Sequence, residues 1–123
     1  MALSDIKTIE WLLINWGRWA YYNRGLSLYY QSIEPYERLR RTKPPSPAIT
    51  DDEAYAVDLV ISEMKRRRPA QHEALVLHYL AGYPYRAIAK EKKTNHRQIH
   101  DLVTGGKLWL EGALTGGAPF TDD

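Results

Sequence analysis

The chain has 123 residues, 44% of them hydrophobic and 26% charged, with no cysteine and a formal net charge of +2. That length suits one domain with a modest core, and the missing cysteines exclude a disulfide framework and a cysteine-based zinc site. A mean hydropathy of −0.51 and longest apolar stretches no longer than those at residues 11–14 and 75–77, against the about 20 residues a spanning helix needs, predict no membrane partner. Residues 1–5 lack a basic and then apolar leader, so a cytoplasmic protein is expected.

Residues 5–24 are predicted as the first helix, with Ser4 as N-cap, Asp5 at the positive end of the dipole, and Ile6, Ile9, Leu13, Trp16 and Ala20 at helical spacing. Trp11, Trp19 and Tyr22 lie off that stripe. Two readings stay open: a helix sandwiched between layers of core, or one that keeps Trp11 and Trp19 outside as a docking face. Gly25 is read as the C-cap, and residues 26–36 as a short helical or irregular segment. Residues 37–49 carry Arg38, Arg40, Arg41, Lys43, Pro44, Pro45 and Pro47. Prolines remove amide donors and fix extended backbone, so this is a basic loop, expected to be mobile when free. It is either a solvated connection or an arm that orders on nucleic acid or on a partner.

Thr50 followed by Asp51, Asp52 and Glu53 is a capping-box start. The helix it opens is predicted to run to about Arg68, with Val57, Val60, Ile61 and Met64 buried and cations over 65–68 at its negative end. Pro69 opens the next helix, whose Leu75, Val76, Tyr79 and Leu80 face inward until Gly82. Residues 84–104 have the pattern of a helix-turn-helix, in which Ile88 and Ala89 bury against Ile99, Leu102 and Val103. His96, Arg97, Gln98, His100 and Asp101 are then left outward, where they can donate to and accept from base edges in a major groove. The last helix is predicted to continue through Lys107, Trp109, Leu110 and Leu114, with a bend at Gly105 and Gly106, each costing about 1 kcal/mol relative to alanine. No strand signal or repeat is present. The expected fold is all-α, about five helices in a single helical domain over 1–123, of which 50–114 form the helical DNA-binding part.

Residues 62–100 hold nine basic side chains against three acidic ones, a local charge of +6 suited to phosphates. Over 65–68 that charge is either ordinary helix-end electrostatics or a phosphate clamp. Catalytic readings are weak. His96 and His100 stand four apart, but no third metal ligand is near in sequence. His100 and Asp101 are helix neighbours, about 100° apart, and are expected not to face each other. Asp51, Asp52 and Glu53 read as a helix cap rather than a metal cluster, and no phosphate loop or nucleophile motif appears. The chain is expected to be no enzyme and to need no metal or other cofactor.

From Leu77 to Leu110 the sequence resembles region 4 of bacterial sigma factors, through His78-Tyr79, Gly82, Tyr85-Arg86-Ala87-Ile88-Ala89 and Asn95-His96-Arg97-Gln98-Ile99. A narrower resemblance covers residues 6–114. Trp16-Gly17-Arg18-Trp19-Ala20, the basic proline-rich loop, Thr50-Asp51-Asp52 with Val57-Asp58, Leu75-Val76-Leu77-His78-Tyr79, Arg86-Ala87-Ile88-Ala89-Lys90 and Trp109-Leu110-Glu111-Gly112 are similar to the late-gene antitermination protein Q family of lambdoid phages, in the branch distinct from lambda's own.

This resemblance implies a phage or prophage factor, acting in the bacterial host cytoplasm, that binds double-stranded DNA at a late promoter. It implies engagement of paused RNA polymerase holoenzyme, sigma factor included, and read-through of terminators by narrowing the RNA exit channel. Carried onto this sequence, His96, Arg97, His100 and Asp101 would read bases, and Arg86, Lys90, Lys92 and Lys93 would meet phosphates. A pore-lining role would turn Arg38, Arg40 and Arg41 toward nascent RNA, while Trp11 and Trp19 would seat the protein on polymerase. Two other functions compete: a conventional dimeric operator binder, and a protein-interaction module that kept a sigma-like fold without DNA binding.

Overall fold

A computed structural model describes residues 8–23 and 43–115. Five helices, α1 (Ile9–Tyr22), α2 (Asp51–Arg67), α3 (Pro69–Tyr79), α4 (Tyr85–Lys92) and α5 (His96–Thr115), and no strand make up these residues, an all-α fold. The predicted cap Ser4, Asp5, Ile6, the predicted C-cap Gly25, residues 26–36 and the part of the basic loop up to residue 42 lie outside the described residues.

α1 begins later than its pattern suggests, because Thr8 is the cap: its hydroxyl accepts the Trp11 N–H at 3.0 Å. It ends at Asn23 rather than at glycine. Both the backbone N–H and the side-chain amide of Asn23 donate to the Trp19 carbonyl, which would otherwise be an orphan of the last turn. Leu12, Leu13, Trp16, Trp19 and Ala20 are buried, which makes α1 the sandwiched helix. The docking role expected for Trp19 is therefore overturned: the residue is 1% exposed. Its indole N–H donates to Asp51 at 3.0 Å and its ring meets Tyr55 edge-on at 5.2 Å. Trp11 is half-buried against the core.

α2 carries the full capping box. Thr50 Oγ1 accepts the Glu53 N–H at 3.1 Å, and the Glu53 carboxylate accepts the Thr50 N–H at 3.2 Å. Val57, Val60, Ile61 and Met64 are buried as their spacing predicts, and each such burial stabilises the fold by about 1.5–3 kcal/mol. Between them sits a charge, Asp58, whose carboxylate accepts the Trp16 indole N–H at 2.8 Å and so joins α1 to α2. The end of the basic loop is tied down. Tyr22 donates its hydroxyl to the Pro44 carbonyl, Ala48 N–H donates to Asn15 Oδ1 at 2.8 Å, and Ile49 is buried.

Pro69 occupies the first turn of α3, where its missing N–H costs nothing. Gly82 turns the chain toward α4 with φ 84, a conformation that favours glycine. α3 then approaches two other helices at glycines. A Cβ at Gly17 of α1 would stand 2.0 Å from the Tyr79 carbonyl oxygen, and one at Gly106 of α5 would stand 3.2 Å from Leu75 Cδ1. α5 runs continuously over 20 residues through Gly105 and Gly106. The propensity cost of the pair is offset by the contact with α3 that they permit.

Candidate nucleic-acid interface

The α4–α5 unit is assembled from a short apolar seam. Ile88 and Ala89 on α4 and Ile99 and Val103 on α5 are buried, with Leu102 half-buried beside them. α4 stops because Lys93 adopts the left-handed conformation at φ 58, and Thr94 N–H returns to the Ala89 carbonyl at 2.9 Å. Two residues on, Asn95 Oδ1 accepts the Gln98 N–H at 2.9 Å and starts α5. That start places His96, Arg97, Gln98, His100 and Asp101 outward, all exposed.

The cations differ among themselves. Arg86, Lys90 and Lys93 are exposed, whereas Lys92 reaches back to an ion pair with Glu73 on α3. In the 65–68 run, Arg66 and Arg67 both engage Glu63 one turn earlier, Arg67 at 2.7 Å, while Lys65 and Arg68 are exposed. His100 and Asp101 approach more closely than helical geometry suggests. Nδ1 and Oδ1 are 3.7 Å apart, too long for a hydrogen bond. Arg38, Arg40 and Arg41 lie outside the described residues.

Behind α5 stands a set of side chains that its own sequence does not announce. Lys107 Nζ lies 2.8 Å from a Glu10 carboxylate oxygen that also accepts the Tyr79 hydroxyl at 2.7 Å, linking α5, α1 and α3. Burial alone would raise the Glu10 pKa, but the two hydrogen bonds together with the nearby positive charge of Lys107 hold the carboxyl below its ordinary value. Burial, and then the neighbouring carboxylate, push the Tyr79 hydroxyl up. His78 continues the set: its Nδ1 lies 2.8 Å from the Tyr83 carbonyl, and its ring stacks at a tilt on Tyr85 at 4.6 Å. A cavity of about 250 Å³ opens beside it, lined by Glu10, Arg18, Pro44, His78 and Tyr79 among others.

Residues 6–118 match the family described as phage antitermination protein Q. The chain belongs to that family. It is 22% identical, over 111 residues, to a probable antitermination protein Q from Acyrthosiphon pisum secondary endosymbiont phage 1, a match covering 89% of this chain and 75% of the relative. No solved structure matches it. The Q family comprises regulators of bacteriophage transcription and is not an enzyme family. Among the described residues of this Q-family chain, no helix is long and apolar enough to cross a membrane, and no three His, Cys, Asp or Glu side chains group to hold a metal ion.

Sequence reasoning placed the outward residues of α5 in this Q-family chain but missed what supports them. Glu10 and Lys107 are 97 positions apart and each reads as an ordinary surface charge. Asp58 did carry a signal: a carboxylate within the span of an apolar stripe needs a buried donor, and tryptophan supplies one.

Proposed function

We propose that this Q-family protein binds late-promoter DNA through α4 and α5, loads onto paused RNA polymerase holoenzyme with its sigma factor, and lets the enzyme read through terminators. One observation carries the reading. The first turns of α5 expose His96, Arg97, His100 and Asp101 while Ile99 and Val103 anchor the same turns in the core. A helix so mounted can enter a groove as a rigid rod, with donors and acceptors toward base edges and Arg86, Lys90 and Lys93 toward flanking phosphates. Lys92 serves phosphate only by leaving Glu73, so it contributes least of the four.

The polymerase part of the proposal rests on family membership. With Trp19 sealed in the core, Trp11 is the remaining aromatic candidate for seating the protein on polymerase, and Arg38, Arg40 and Arg41 remain the candidates for nascent RNA. Transcription in vitro from a template carrying the matching late promoter and an intrinsic terminator tests the whole. Read-through should rise when the protein is added. Unchanged termination on that template overturns the proposal.

A further inference from the structure

An exposed histidine on a helix ordinarily samples several rotamers, and fixing it on binding costs conformational entropy. His100 is in a different position. Although 58% of its side chain is exposed, its ring stands edge-on to Tyr85, with centroids 5.6 Å apart and planes at 76°. Tyr85 opens α4 directly after Pro84, and its ring rests on His78 at 4.6 Å. His78 is itself fixed twice: its Nδ1 meets the Tyr83 carbonyl at 2.8 Å, and the Tyr79 ring closes on it at 4.7 Å and 80°. A carbonyl can only accept, so that nitrogen carries the hydrogen. Beyond Tyr79, the hydroxyl donates to Glu10 on α1. Four rings drawn from three helices thus run from the core to one outward imidazole.

We propose that Tyr85, seated on His78, is a positioning residue that holds the His100 imidazole in one orientation and so sets base choice at the position His100 reads. The inference rests on the reading of α5 as the base-contacting helix. It goes further by assigning specificity to a residue of the preceding helix that acts through another side chain. Pre-organisation is the physical gain: an imidazole already oriented loses less freedom on contact, and its ring nitrogens meet a base edge at a fixed angle.

The test selects DNA from a randomised duplex pool with the wild-type protein, then compares base preferences position by position for Tyr85→Leu, Tyr85→Phe, His78→Asn and His100→Ala. Tyr85→Leu should lower discrimination by about tenfold at a single base pair, the one His100→Ala also relaxes, with the other positions and the salt slope unchanged. Tyr85→Phe should keep the wild-type preference, because the ring and not the hydroxyl does the positioning. His78→Asn retains an N–H for the Tyr83 carbonyl but removes the ring beneath Tyr85, and should lose part of the same discrimination; it carries the test if Tyr85→Leu does not fold. In a His100→Ala background Tyr85→Leu should add nothing. Intact discrimination in both Tyr85→Leu and His78→Asn, equal loss in Tyr85→Phe, or a uniform loss at every position overturns the positioning role while leaving DNA reading in place. A wild-type protein that enriches no sequence overturns the DNA reading and this inference with it.

Discussion

The indole nitrogen of Trp16 lies 2.8 Å from Oδ1 of Asp58, a buried hydrogen bond between residues 42 apart that joins α1 to α2. Both partners are buried, Asp58 at 2% exposure. Removing the carboxylate leaves an indole N–H without its acceptor, so Asp58→Ala is expected to destabilise the fold by about 2–3 kcal/mol. Asp58→Asn keeps an oxygen acceptor of similar shape and should lose roughly half as much. Urea denaturation of the two variants checks this; equal loss in both would mean that the charge, and not the acceptor, holds the helices together.

Two glycines of helical segments should respond in opposite senses to alanine. At Gly17 the added methyl would meet the Tyr79 carbonyl oxygen at 2.0 Å, and since a Cβ is fixed to its own backbone and the atom it meets is backbone too, α1 and α3 must separate. The expected loss is about 3 kcal/mol or more. Gly112, near the end of α5, has nothing within 4 Å of where its Cβ would be. Gly112→Ala should therefore gain about 0.5–1 kcal/mol through helix propensity. Thermal melts of the pair report both signs in one experiment.

His72 makes stability depend on acid. Burial, and then the nearby Lys65 charge, lower its pKa from 6.5 to about 4. The folded chain therefore keeps a neutral imidazole where the unfolded chain takes up a proton, so between those two values the unfolded state holds more protons. Stability is complete above the unfolded value and falls as pH drops through the window, by about 2 kcal/mol after allowing for partial solvent contact. The lowered Glu10 pKa acts in the same direction, but only below the ordinary carboxyl range. Urea midpoints at neutral and mildly acidic pH should differ for the wild type. In His72→Gln that difference should shrink, and an undiminished difference would assign the acid sensitivity to another group.

What could be read from the chain in advance follows from how far each signal reaches. The Thr50–Glu53 capping box, Pro69 at the start of α3 and the burial of Ile88 against Ile99 are local patterns, and each holds in the structure. Trp11 and Trp19 could not be told apart, because periodicity gives each an off-stripe position. The choice was made by α2, whose Asp51 supplies an acceptor for the Trp19 indole. Likewise, propensity alone shows only the weakening at Gly105 and Gly106, and not the close approach to Gln71 and Leu75 that the missing side chains permit. The support of the candidate interface was the least legible part. Tyr79, Glu10 and Lys107 meet only once three helices are in place, and no single segment contains the pattern.

Arg97 and Lys90 separate base reading from phosphate contact. Arg97 projects from the first turn of α5 and Lys90 from α4, and both are exposed. If α5 lies in a major groove, Arg97→Ala should cost about 1–3 kcal/mol on the selected duplex and relax preference at a single position. Lys90→Ala should weaken binding evenly across sequences, and the slope of log affinity against log salt should flatten by about one unit. Lys92→Ala is the internal comparison. Its ammonium is engaged with Glu73, so it should change the slope less than Lys90→Ala does. Titrations at several salt concentrations on the selected duplex and on a scrambled one separate the three. An Arg97→Ala loss that is equal on both duplexes would reassign that guanidinium from bases to phosphate, leaving His96, His100 and Asp101 as the residues through which sequence is read.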